Sequence, residues 1–193
     1  MLILVVGLLI FLGVHSVRIF ADDWRTRSVA RLGEKPWKGL YSVVSLIGFV
    51  LLVWGYALAR QQPVVLWQPP LMMKHLNSLF TLLAFILVVA AYVPRNHIKA
   101  TLHHPMVLGV KLWAFGHLLA TAKLADMVLF GAFLLWAILS FRAARQRDRA
   151  LGTRYAAGSV AGTMVTLVLG ALGWAAFAFW LHAAWIGIAP LER

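Results

Sequence analysis

The sequence predicts an all-α, polytopic membrane protein, a bundle of about six transmembrane helices forming one transmembrane domain over residues 1–193. Three observations predict it. Of the 193 residues, 62% are hydrophobic and only 12% charged, against roughly a quarter charged in soluble domains. That is too little polar material to coat a water-facing surface, and the mean hydropathy of +0.84 agrees. The apolar residues also gather into six stretches near the ~20 residues that cross a bilayer core. The basic residues fall mostly in the gaps between them.

The first stretch, Leu2–Phe20, has no basic segment before it and no small-residue cleavage site after it, so it reads as a retained helix rather than a signal peptide. A polar loop with the breakers Gly33, Pro36 and Gly39 leads to the second, Leu40–Ala59. Pro63, Pro69 and Pro70 mark a short connection to the third, Leu71–Val93, which Pro94 ends. The fourth opens near His104-Pro105, with proline at a helix-starting position, and runs to about Ala122. The fifth, Asp126–Phe141, follows so closely that a tight helical hairpin is expected, with Lys123 and Asp126 able to pair across it. The sixth runs from about Gly158 to Ile188, long enough to tilt. It carries Gly158, Gly162, Thr166 and Gly170 at four-residue spacing, a small-residue stripe whose plainest use is close helix packing.

Charge placement sets the orientation. Loop 1–2 holds Arg18, Arg25, Arg27, Arg31, Lys35 and Lys38; loop 3–4 holds Arg95 and Lys99; loop 5–6 holds Arg142, Arg145, Arg147, Arg149 and Arg154. The other side offers Arg60, Lys74, Lys123 and Arg193, with Lys111 inside a helix. The positive-inside rule then puts both termini outside, which for the inner membrane of a bacterium is the periplasm. Trp54, Trp67, Trp180 and Trp185 lie near the predicted outer boundaries, as an aromatic belt requires. The net charge of +12 is therefore loop charge facing lipid and cytoplasm, not a nucleic-acid surface. Cysteine is absent, which excludes disulfides, iron–sulfur clusters, thiolate-ligated haem and a cysteine nucleophile.

Any cofactor must then be held chiefly by the seven histidines. His75 and His182 sit near membrane interfaces, and His97, His103 and His104 lie in loop 3–4 with no zinc-like spacing. His15 and His117 fall inside the hydrocarbon, where a polar ring is costly unless partnered. A hydrogen bond to a neighbouring carbonyl would be the structural answer. A haem would be the functional one: the two lie on different helices, roughly 10 Å apart in depth, near the spacing of two axial imidazoles. Gly13 and Ser16 flank one, and Ala114, Gly116 and Ala120 the other. Arg18, one turn from His15 at the inner boundary, is placed to meet a haem propionate.

His15-Ser16, Arg31 to Tyr41, His104-Pro-Met-Val-Leu-Gly109, Trp113-Ala-Phe-Gly-His117 and Arg147-Asp-Arg149 together resemble the NnrU family, over nearly the whole chain. That family comprises bacterial membrane proteins associated with denitrification and nitric oxide reductase function. It is similar to the 15-cis-ζ-carotene isomerase of plastids and cyanobacteria, and remotely to isoprenylcysteine carboxyl methyltransferases. The isomerase is a b-type haem protein, and its ligating histidines fall by motif on His15 and His117. The resemblance implies an inner-membrane haem b protein that supports nitric oxide reductase, as a redox, haem-handling or assembly factor. Its partners would be membrane lipid and the reductase or its assembly machinery. The alternative it implies is a haem-dependent isomerase or oxidoreductase acting on a lipid-soluble substrate such as a carotenoid. The isomerase's alternative cysteine ligand corresponds to Ala114, so a ligand-switching mechanism cannot run here unaltered. The methyltransferases' Glu-rich stretch corresponds to Arg142–Arg149, which offers only Asp148.

Overall fold

A computed structural model describes residues 1–191; Arg193, counted above among the outward basic residues, lies outside the described residues. The architecture is helical throughout the described chain apart from turns and short connections: α1 Leu2–Phe20, α2 Asp22–Leu32, α3 Glu34–Ala59, α4 Leu71–Tyr92, α5 His97–Leu102, α6 Pro105–Ala120, α7 Leu124–Leu151, α8 Val160–Ala176 and α9 His182–Ile186. A π-helical turn, Phe177–Leu181, joins the last two. Five helical segments are long and apolar enough to cross a membrane, the last being Val160–Ile186, and α6 is a shorter apolar helix. The chain is thus a polytopic helical membrane protein.

Several boundaries differ from those the hydropathy predicts, each for a local reason. The polar stretch after the first span is not a loop. Asp22 and Asp23 in its first turn and Arg31 in its last suit the helix dipole, and it forms α2 with no buried residue. Gly33, at φ +85°, breaks it from α3. Pro36 is accommodated in the first turn of α3, where its missing N–H costs nothing, and Lys38 pairs with Glu34 at 2.6 Å. At the other extreme, α6 has 16 residues, about 24 Å, short of the ~30 Å core. Its neighbour α7 has 28 residues and carries the arginines of the expected loop 5–6 on a continuing helix.

The chain divides into two compact units, residues 1–67 with 122–140, and residues 68–121 with Phe141 onward. In the first unit α1 packs along α3 with the backbones in contact. A Cβ on Gly7 would strike the Leu52 backbone, one on Gly55 the Leu4 backbone, and one on Gly48 would lie 2.7 Å from Phe11 N. Leu4, Leu8 and Leu52 fill this seam. The Tyr56 hydroxyl donates to Asp126 Oδ1 at 2.7 Å, tying α3 to the start of α7. In the second unit α4 packs against both α6 and α8. The small-residue stripe does what its spacing implies: a Cβ on Gly170 would lie 2.7 Å from Ile86 Cα, Gly158 and Gly162 face the His97 and Arg95 backbone, and Thr166 is fully buried. Trp174 Nε1 donates to Thr81 Oγ1 at 3.1 Å across the same seam. The rest of the apolar surface stays outside: Leu2, Leu9, Phe20, Trp180 and Trp185 are each more than two-thirds exposed, as lipid-facing side chains are.

Candidate functional site

His15 sits in α1 one turn beyond Phe11, and its Nδ1 donates to the Phe11 carbonyl at 2.6 Å. A carbonyl only accepts, so this bond fixes the proton on Nδ1 and leaves the lone pair on Nε2. Three aromatic rings hold the imidazole: Phe11 at 4.3 Å, Tyr41 of α3 at 5.4 Å and Trp136 of α7 at 6.3 Å, the last two edge-on. The indole N–H of Trp136 is buried without a hydrogen-bond partner. A buried unsatisfied donor is costly, and the ring that carries it packs edge-on against His15.

The second unit repeats the arrangement. His117 Nδ1 donates to the Trp113 carbonyl, four residues back in α6, at 2.8 Å. The Trp113 ring lies 5.4 Å from the imidazole. Here too a buried polar atom has no partner: Asn77 Oδ1 of α4, which a Cβ on Gly116 would approach to 2.6 Å. The small residues beside His117 serve packing, because Ala114 is fully buried and Gly116 is pressed between Asn77 and Phe80. An entirely apolar groove of about 220 Å³ opens one turn away, lined by Ala84, Phe85, Val88, Gly109, Val110 and Trp113.

Arg18 lies three residues beyond His15, its side chain 60% exposed and its Nε 3.8 Å from Asp22. At that exposure the ion pair is weak and exchangeable. The remaining histidines go elsewhere. His182 Nδ1 donates to the Ile188 carbonyl at 2.6 Å, and the His97 backbone N–H donates to Thr163 Oγ1.

His103 and His104 form a polar cluster that spacing did not reveal. His104 Nε2 lies 2.8 Å from Asp148 Oδ2, and the Tyr155 hydroxyl donates to the same oxygen at 3.0 Å. The Tyr155 ring stacks on His103 at 4.2 Å, and Arg145 donates to His103 Nδ1. Burial and the bond to Asp148 push the Tyr155 hydroxyl up to about 12. His103 holds its place at φ +68°, a conformation that non-glycine residues adopt at a cost. The two histidines lie more than forty residues from Arg145 and Asp148 in the chain, so no local pattern could pair them. Their only signal was the resemblance itself, which includes both His104-Pro105 and Arg147-Asp148-Arg149. Among the described residues no group of three or more His, Asp or Glu side chains is arranged to hold a metal ion.

A family model described as NnrU protein matches residues 3–190. The chain belongs to the NnrU family. Comparisons with curated proteins and with solved structures give no match.

Proposed function

We propose that this NnrU-family chain is a haem b-binding protein of the bacterial inner membrane, in which His15 and His117 would hold the haem. It supports nitric oxide reductase function as a redox, haem-handling or assembly factor. The observation that carries this reading is a shared hydrogen bond. Each of the two imidazoles gives its Nδ1 proton to a carbonyl four residues back, the kind of bond that orients a metal-ligating histidine. The unpartnered Trp136 N–H, on a ring edge-on to His15, is a donor that a carboxylate-bearing group could use. In this reading Arg18 exchanges its loose contact with Asp22 for a propionate. Haem, when bound, supplies one-electron redox chemistry; the chain supplies two imidazoles, an aromatic wall around His15 and exclusion of water.

The topology in this reading has both termini periplasmic, with the arginine-rich end of α7 in the cytoplasm and α6 crossing as a short span that thins the bilayer or draws in its flanking residues. Purified protein should show a low-spin haem spectrum with sharp visible bands on reduction, and a denitrifying host lacking the protein should lose nitric oxide reduction. A colourless protein that stays colourless after haem reconstitution would refute the reading.

A second reading is favoured by the apolar groove beside Trp113. It would seat a linear lipid-soluble substrate, making the protein a haem-dependent isomerase or oxidoreductase. A ligand switch of the isomerase kind has no sulfur to use, because Ala114 stands there, fully buried. Turnover of a carotenoid or quinone by the reduced protein separates this reading from the first.

A further inference from the structure

We propose that the polar end of α7 is a binding site for the phosphate of an anionic phospholipid, formed by Arg142, Arg145 and Arg149. The helix is 28 residues long, about 42 Å, so roughly a quarter of it extends past the ~30 Å hydrocarbon core into the headgroup layer. Counted from Leu124, the extending part begins close to Arg142. Arg142, Arg145 and Arg149 recur at three- and four-residue spacing, which sets them on one face of the helix.

Among the described residues their charge is not cancelled by a paired carboxylate. Asp148 is the one carboxylate on this segment, and its Oδ2 is already occupied by His104 at 2.8 Å and Tyr155 at 3.0 Å. Among the described residues, no carboxylate lies within ion-pair distance of the three arginines. Arg142 and Arg149 are exposed. Arg145 is held in place by its bond to His103 Nδ1, so that its remaining N–H groups are presented from a fixed position. Lys111 adds a further cation, over the Phe141 ring at 4.9 Å. Several guanidinium groups on one face, at phosphate depth and without a carboxylate partner among the described residues, suit an anionic headgroup. The reading stands or falls independently of haem.

The test uses the full-length protein in nanodiscs of equal phosphatidylcholine and phosphatidylglycerol, with native mass spectrometry counting the lipids retained on release. Phosphatidylglycerol should be enriched on the wild-type protein. The exposed double variant Arg142→Gln/Arg149→Gln should lose that enrichment by roughly tenfold, while Lys74→Gln, at the start of α4, should keep it. Equal enrichment in the double variant overturns the proposal. Displacement of the lipid by millimolar inorganic phosphate overturns the lipid assignment in favour of a soluble anion. A double variant that loses as much thermal stability in phosphatidylcholine alone as in the mixture also overturns it, because the arginines would then be structural.

Discussion

Asp126 shows how much one side chain can hold in a protein with few polar groups. Its carboxylate accepts the Tyr56 hydroxyl at 2.7 Å, and a bond to a charged group in such a setting contributes about 2 kcal/mol. Tyr56→Phe should therefore lower detergent-phase stability by about that much in a thermal or denaturant melt. No change would mean that water replaces the contact. The spacing of Lys123 and Asp126 pointed to an exposed pair at the helix turn; the Tyr56 contact is 70 residues away in sequence and could not be read there. Tyr155 carries a pH signature. Its folded value, about 12, lies above the ordinary 10.0, so its contribution to stability is complete below pH 10 and is lost as pH rises toward 12. A spectrophotometric titration should show Tyr155 ionising late, and Asp148→Asn should bring one late-ionising tyrosine back toward the ordinary value. If wild type and variant titrate alike, the bond to Asp148 is not what holds the proton.

Elements divide by what formed them. The apolar spans were legible because length and hydropathy are local properties: α1 and the first boundary of α4 fall where the sequence put them. Polar helix was not legible. Hydropathy finds lipid-facing segments, so α2 and the arginine-bearing end of α7 were read as loops, although the placement of charge at the helix ends favours helix in both. Packing partners were half legible. The Gly162, Thr166 and Gly170 stripe on α8 announced itself by regular spacing, whereas Gly48 and Gly55 on α3, seven residues apart, meet α1 just as closely without an obvious repeat. Gly55→Leu should cost about 3 kcal/mol or unfold the first unit, since its Cβ would collide with the Leu4 backbone rather than with a movable side chain. Gly13→Ala, with nothing within 4 Å, should be neutral or stabilising by up to about 1 kcal/mol through helix propensity. Equal effects of the two would remove the claim that α1 and α3 meet backbone to backbone.

At the scale of the whole molecule, membrane character follows from composition and is expressed in a surface of exposed Leu, Val, Phe and Trp. Orientation rests on charge placement alone, which is why the proposed topology needs its own test. A phosphatase or fluorescent reporter inserted at Gly152–Thr153, in the turn after α7, should report cytoplasm, and one fused after Leu191 should report periplasm. Matching compartments at the two sites would mean that Val160–Ile186 does not cross. The candidate ligands were legible because intramembrane histidine is conspicuous. The aromatic wall around His15 and the unpaired Trp136 and Asn77 atoms were not, since they come from helices distant in sequence.

The most direct test of the central claim is the visible spectrum of the purified protein and its histidine variants. Wild-type protein should be six-coordinate and low-spin, with both axial positions filled by nitrogen. His15→Ala and His117→Ala should each give high-spin haem or none, whereas His75→Ala and His182→Ala should match wild type and Arg18→Ala should keep the spin state but release haem more readily. Wild-type spectra in both His15→Ala and His117→Ala would contradict the account, leaving the two imidazoles as hydrogen-bonded structural groups.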